Sequence, residues 1–316
     1  MNRGDLFEFD YQNNDELPWM EDGYNTWKWK GMHDINYIEL GDRSKPALVL
    51  IHGFGASSFH FRYNLPVLAR EFHVFAFCKL GFGLSDKPVT DYTSEIWRDQ
   101  AADFLTEVVG KPAVLAGNSL GGFTSLYTAA TKEVQPMVRG VILMNSAGRF
   151  RGPNDEQEES HEKNGLATWL REKVHRTVIS ASFFITKQPP RIEQILRQVY
   201  PVATDRVDSK LVESIRFPSL DPNATEVFYR LVKRLEDQPA TTVVYQDDLL
   251  ERTDCPILLC WGESDPWIVP ATADKIQRLK PSCSRVRIDA GHCPHDEQPE
   301  AVNDAIRDFM LSLPAR

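Results

Sequence analysis

Apolar positions along this chain follow two rhythms. Over residues 26–40 two short segments, W-K-W-K and I-N-Y-I-E-L, alternate polar and apolar residues around Gly31-Met32-His33, which predicts a hairpin at a sheet edge. Residues 46–51 (P-A-L-V-L-I) are continuously apolar, the pattern of a strand covered on both faces in a parallel sheet. The pattern then predicts a helix over about 58–70, a strand over 73–77, a helix over 94–109, an apolar β-rich run over 112–116 leading into a helix, and a strand over 140–144. Strands alternating with helices of this length imply right-handed crossovers, and so an α/β fold with a mostly parallel sheet and helices on both faces.

The rhythm changes over residues 148–251, where strand signals nearly vanish. The charged run 154–163 (N-D-E-Q-E-E-S-H-E-K) reads as a solvated loop or helix start. Leu166, Trp169, Leu170, Val174, Val178 and Phe183 recur at helical spacing until Pro189-Pro190, and shorter amphipathic runs follow over 191–199, 209–216 and 225–235. Strand and helix alternate again over 256–261, 271–279, 285–288 and 300–313. The expected organisation is a core built from 1–147 and 252–316 with a helical cap, 148–251, inserted between its two parts as one cooperative unit. The large apolar residues of the cap, Trp169, Phe183, Phe184, Phe217 and Phe228, are expected to roof an apolar, substrate-binding pocket.

The chemistry gathers at Val114 to Leu126, V-L-A-G-N-S-L-G-G-F-T-S-L. Here G-x-S-x-G joins a strand to a helix, the context of a nucleophile elbow. Small neighbours suit the strained backbone that lifts Ser119 above the sheet, and the helix N-terminus behind it favours developing negative charge. The bland alternative is a glycine-rich turn with a serine cap. A serine nucleophile needs a base, and the base needs an acid to hold its tautomer. Asp265, in W-G-E-S-D-P, and His292, in A-G-H, each fall just past a strand, and the order Ser119, Asp265, His292 suits an α/β sheet whose reactive groups collect at the carboxyl ends of strands. Each has a bland alternative, a turn-forming Asp before Pro and a loop histidine. His295 and Glu263 are rival base and acid, His295 reading better as a support or surface residue. An acid at the end of the strand before the cap is closed off by Asn145-Ser146. The oxyanion hole should combine the N–H of Leu120 with one from His52-Gly53-Phe54-Gly55, Phe54 being the second donor unless that stretch is a plain glycine turn.

Composition narrows the partners. The 316 residues are 42% hydrophobic and carry a net charge of −9, enough for a sizeable core and poorly suited to nucleic acid. No apolar run reaches the ~20 residues of a membrane span, and the N-terminus lacks the apolar core of a signal peptide and is too acidic for a transit peptide. Cys78, Cys255, Cys260, Cys283 and Cys293 are irregularly spaced and read as reduced thiols, with no zinc or redox pattern. No metal or other cofactor is expected.

The set H-G-F-G, G-F-G-L-S-D-K-P at Gly81 to Pro88, G-N-S-L-G-G, G-E-S-D-P-W and G-H-C-P-H-D-E-Q-P-E resembles α/β-hydrolases from about Trp27 to the C-terminus. Within them, N-S-L-G-G, I-L-R-Q-V-Y at Ile195 to Tyr200, the stretch Ser214 to Phe228 and G-H-C-P-H-D-E resemble the pheophytinase and chlorophyll dephytylase group. The resemblance implies a serine hydrolase that releases phytol from chlorophyll or pheophytin. It also implies a chloroplast location, or a cytoplasmic or thylakoid-associated one in a cyanobacterium, with peripheral membrane contact. Cys78-Lys79 departs from the pattern, because these hydrolases usually carry an Asp there, and the departure bears on loop packing. Other lidded hydrolases of esters or C–C bonds remain open, as does a small-molecule receptor on the same fold.

Overall fold

The computed structural model describes residues 24–152, 166–237 and 242–314, the side chains of 166–174, 235 and 237 excepted. The charged run 154–163, the N-terminal decapeptide and the side chains of Leu166, Trp169, Leu170 and Val174 therefore lie outside the described residues.

Eight strands form one sheet: β1 Tyr24–Trp29, β2 His33–Leu40, β3 Ala47–Ile51, β4 His73–Phe77, β5 Ala113–Asn118, β6 Val138–Met144, β7 Ile257–Gly262 and β8 Ser284–Ile288. Their order is β1-β2-β4-β3-β5-β6-β7-β8. β1 and β2 form the antiparallel hairpin at the edge, β2 pairs antiparallel with β4, and the remaining pairs are parallel. Every residue of β3, β4, β5 and β7 is buried, which is why their apolar runs are continuous. Alternate residues nevertheless feed different layers. Val49, Ile51, Leu115 and Leu259 belong to one core cluster, and Leu48, Leu50, Val114 and Leu258 to the other.

The helices are α1 Leu65–Leu68, α2 Ser94–Phe104, α3 Leu120–Ala129, α4 Leu166–Thr186, α5 Pro189–Val199, α6 Ser209–Arg216, α7 Ala224–Asp237, α8 Gln246–Arg252, α9 Pro270–Leu279, α10 Pro294–Glu297 and α11 Pro299–Ser312. The single helix expected over 58–70 is instead a 3₁₀ turn, Ser58–Phe61, followed by α1. Pro66 has no N–H to give the Arg62 carbonyl, so an unbroken helix would lose that bond there. The helix expected over 94–109 is present as α2, which widens into a π-turn at Leu105–Val109. Gly110 closes it at φ 66°, where a side chain would be strained. Pro189 and Pro190, read from the sequence as a stop, also open α5, occupying the first turn where a missing N–H costs nothing.

Helices α4 to α8 fall between β6 and β7. α4 packs on α7 through Phe183 stacked on Phe228, ring centroids 4.8 Å apart. α5 and α6 share a separate apolar cluster that includes Ile192, Leu196, Tyr200 and Leu211.

Candidate active site

The elbow is a consequence of three glycines. A Cβ on Gly121 would lie 1.9 Å from the Ile51 carbonyl oxygen, and one on Gly117 would lie 2.2 Å from the Gly121 carbonyl carbon, so strand and helix approach more closely than any side chain permits. On Gly53 a Cβ would sit 3.3 Å from that of Ser119, which brings the Phe54 loop directly against the serine. Ser119 itself takes φ 54°, ψ −119°, a strained backbone for a residue with a side chain. It is held there by backbone bonds: its N–H donates to Met144 O at 3.0 Å, and its carbonyl accepts from Phe123 and Ala147. Leu120 begins α3, so its N–H is one of the unpaired donors of a helix N-terminus.

Asp265 and His292 meet. His292 Nδ1 lies 2.7 Å from Asp265 Oδ2, and since a carboxylate only accepts, Nδ1 carries the proton and Nε2 is the nitrogen free to accept one. All the acceptor capacity of Asp265 is in use. Its Oδ1 accepts from the N–H groups of Trp267 and Ile268, at 2.7 and 3.0 Å, and its Oδ2 also accepts from Asn145 Nδ2 at 2.8 Å. Asn145, at φ 43°, also exchanges two bonds with the Gly262 backbone. Position 145, closed to an acid by its asparagine, thus supplies a donor to the acid that follows the next strand. Asn118 is a second residue the sequence did not single out: its Nδ2 donates to His292 O at 2.8 Å and to Met144 O at 3.1 Å, tying the histidine loop to the elbow. Its position inside G-x-S-x-G was the available signal.

The rivals are engaged elsewhere. Glu263 binds Arg285 and Arg287 at 2.7 and 2.8 Å. His295 is completely buried, against the expectation that it could lie at the surface, with its ring 4.6 Å from that of His60 and 4.8 Å from that of Phe61. It lies in α10, and neither of its ring nitrogens has a hydrogen-bond partner among the described residues.

Ser119, His292, Phe54 and Trp267 line one cavity of about 440 Å³, mostly apolar, whose far wall comes from α4, α5 and α7. Of the five cap aromatics, Phe183 and Phe228 line it. Phe184 and Phe217 do not: they are 64% and 60% exposed. Phe184 follows Phe183 on a helix that rotates ~100° per residue, which carries it off the cavity face and out to solvent. Among the described residues, those lining the cavity include Lys87 and Lys187 but no Asp or Glu.

The departure at Cys78-Lys79 is resolved by packing. The Cys78 carbonyl accepts from Ser85 Oγ and Gln100 Nε2, and Lys79 Nζ lies 5.4 Å from the ring centres of both Phe82 and Trp97. The Lys79 amine is buried with no hydrogen-bond partner among the described residues, and burial holds its pKa well below that of a free lysine. His52 joins this loop to the Phe54 loop. Its Nδ1–H donates to Gly53 O at 2.7 Å and its Nε2 accepts from Lys79 N–H at 3.0 Å.

His60 also lines the cavity; its Nε2 lies 2.7 Å from Tyr200 Oη, which donates to Asp296 Oδ2 at 2.9 Å, so the tyrosine oxygen accepts from His60. Asp296 is gripped by the Arg62 guanidinium at 2.8 and 3.1 Å, and Arg62 reaches on to Asp208 before α6 at 2.6 Å. Burial lowers the His60 pKa from 6.5 to about 4. A base whose folded pKa is depressed contributes stability that is complete above its unfolded pKa, about 6.5, and is lost as pH falls through 4. Such a shift corresponds to on the order of 3 kcal/mol. Burial shifts His52 and His295 in the same direction. Urea unfolding should therefore show stability falling steeply between pH 6.5 and 4, with a shallower slope for His60→Gln. Equal slopes would mean that His60 takes up no proton on unfolding.

Residues 48–305 match the model of the alpha/beta hydrolase family. Over 90% of its length the chain is 31% identical to pheophytinase of the Arabidopsis thaliana chloroplast, spanning 66% of that protein, just under two thirds. It is 26% identical to lipase 1 of Psychrobacter immobilis over 89% of the chain and 81% of the lipase. In structure it resembles the CarC serine hydrolase of carbazole degradation, with a TM-score of 0.72, 21% identity, and coverage of 91% of this chain and 98% of that one. The chain belongs to the alpha/beta hydrolase family.

Proposed function

We propose that the chain is a serine esterase, with residues 148–251 acting as a cap over a core of 1–147 and 252–316. The observation that carries this is one apolar cavity lined by both Ser119, on its strained elbow, and His292, whose Nδ1 is held by Asp265 at 2.7 Å. Ser119 Oγ attacks the ester carbonyl while His292 Nε2 takes its proton. The N–H groups of Leu120 and Phe54 stabilise the oxyanion. As the intermediate collapses the alcohol leaves with the proton from His292, and water, activated by the same nitrogen, releases the acid from Ser119.

The substrate is a bulky apolar ester, most specifically the phytyl ester of chlorophyll or of its magnesium-free derivative. The similarity to pheophytinase supports the tetrapyrrole, and the apolar lining supports the chain. At the ~30 Å³ that a water-sized group takes in a liquid, a cavity of about 440 Å³ holds on the order of fifteen such groups. That is room for most of a phytyl chain. A chloroplast location goes with this substrate. Among the described residues no helix is long and apolar enough to cross a membrane. Incubating wild-type and Ser119→Ala protein with chlorophyll and with pheophytin, then separating the products, tests the assignment. Brisk cleavage of simple esters with no phytol from either pigment would leave a general esterase.

Phe183 and Phe228 stack on each other in the cavity wall. Phe228→Ala should raise KM about tenfold or more for long-chain esters and leave acetate esters unchanged, because only a long chain reaches that wall. Equal changes for both would place Phe228 in the core of the cap alone.

A further inference from the structure

Helix α4 is apolar on two faces. Ile179, Phe183 and Thr186 turn inward, and Phe183 and Thr186 line the cavity. Val178, Ala181, Phe184 and Ile185, at the spacing of one helix face, turn outward, and Val178, Phe184 and Ile185 are 59%, 64% and 63% exposed. An outward apolar stripe on a water-soluble helix is costly unless something covers it. The exposure continues around the cavity mouth on separate loops. Phe54 and Trp267 line the opening while about half exposed, Leu84 follows the lining residue Gly83, and Phe217 and Leu220 flank the lining residues Pro218 and Ser219.

We propose that this ring of exposed apolar side chains, with the outer face of α4, seats the enzyme on a phospholipid bilayer with the cavity mouth against the membrane. A partner helix could cover the α4 stripe alone, but an extended apolar phase meets α4 and the four loops together. Charge agrees with this placement. In a chain with 45 acidic and 36 basic residues, the segment from His175 to Gln188 contains no carboxylate; its Arg176 is paired with Glu226 of α7, and its one lysine is Lys187. Lys187 Nζ lies 5.7 and 5.5 Å from the ring centres of Phe183 and Phe184, an aliphatic stem beside aromatic rings with its charge at the tip, as at a headgroup boundary. Trp267 is placed as interfacial tryptophans are. The inference rests on the proposed function for its purpose, since a phytyl ester partitions into lipid and would enter the cavity without crossing water.

Binding can be measured without substrate, so this inference and the substrate assignment can fail separately. The full chain is mixed with phosphatidylcholine vesicles containing about a fifth phosphatidylglycerol and sedimented. The wild type should cosediment. The double variant Val178→Asp, Ile185→Asp should lose about tenfold or more of its partition coefficient while hydrolysing a short soluble ester at the wild-type rate. Vesicle binding that is absent in the wild type, or unchanged in the variant, overturns the proposal. So does a wild-type dimer in size-exclusion chromatography that the variant abolishes, which would make a second copy the occupant of this face.

Discussion

Ser119→Ala and His292→Ala are each expected to lower kcat by on the order of 10⁵- to 10⁶-fold, about 7–8 kcal/mol of transition-state stabilisation, in a protein that remains folded. The fold should survive because the elbow is built from backbone bonds to Met144, Phe123 and Ala147 and from close approaches of glycine, none of which involves the serine hydroxyl. Alanine at φ 54° meets the same strain as serine. Removing the imidazole leaves Asp265 three other donors, from Asn145, Trp267 and Ile268, so the carboxylate is not stranded. Serine and base act in a single proton transfer, so the double variant should be hardly slower than either single one, the remaining rate coming from the Leu120 and Phe54 donors. Single-turnover kinetics on a chromogenic ester, with near-ultraviolet circular dichroism to confirm folding, measures this. A Ser119→Ala protein retaining more than about a tenth of the rate would remove the serine from the mechanism, and additive losses in the double variant would separate its role from that of His292.

The parts of this site legible in the sequence are those set by local rules. An elbow announces itself because the crowding around Ser119 admits only glycine at positions 117 and 121, and the strands because burial on both faces leaves continuous apolar runs. The helix expected over 58–70 breaks, although its apolar spacing is helical, because the lone Pro66 leaves the Arg62 carbonyl without its helical partner. What stayed illegible depends on contacts far apart in the chain. Asn145 serves Asp265 across 120 residues, Asn118 serves the His292 carbonyl across 174, and His60 meets Tyr200 across 140. No periodicity encodes such pairs. The cap aromatics illustrate the boundary between the two cases: composition indicates that the helices carry surplus apolar bulk, but the one-residue rotation that puts Phe183 in the cavity and Phe184 outside it is a matter of how α4 is set against α7.

Asp265→Asn should be the most informative single-atom change in the site, because all four bonds to the carboxylate come from donors. Two donors, the Trp267 and Ile268 N–H groups, point at Oδ1, and two, His292 Nδ1–H and Asn145 Nδ2, point at Oδ2. An amide has one oxygen, so its NH₂ must face one of these pairs donor to donor. Directed at Oδ1, it opposes two backbone N–H groups that fix the turn. Directed at Oδ2, it opposes Asn145 and obliges His292 to shed the Nδ1 proton and carry it on Nε2, the tautomer that cannot accept from Ser119. Either arrangement leaves buried donors unpaired, at about 1–3 kcal/mol of stability, and the second also lowers kcat near 10⁴-fold. Glu263→Gln, two residues away, faces Arg285 and Arg287 instead and should leave kcat within about twofold, and because Asp274 still pairs with the buried Arg285 guanidinium the stability loss should be on the order of 1 kcal/mol. Measured side by side, kcat and urea stability separate the carboxylates. Were Glu263→Gln the more damaging to kcat, Asp265 would not be the group that orients His292.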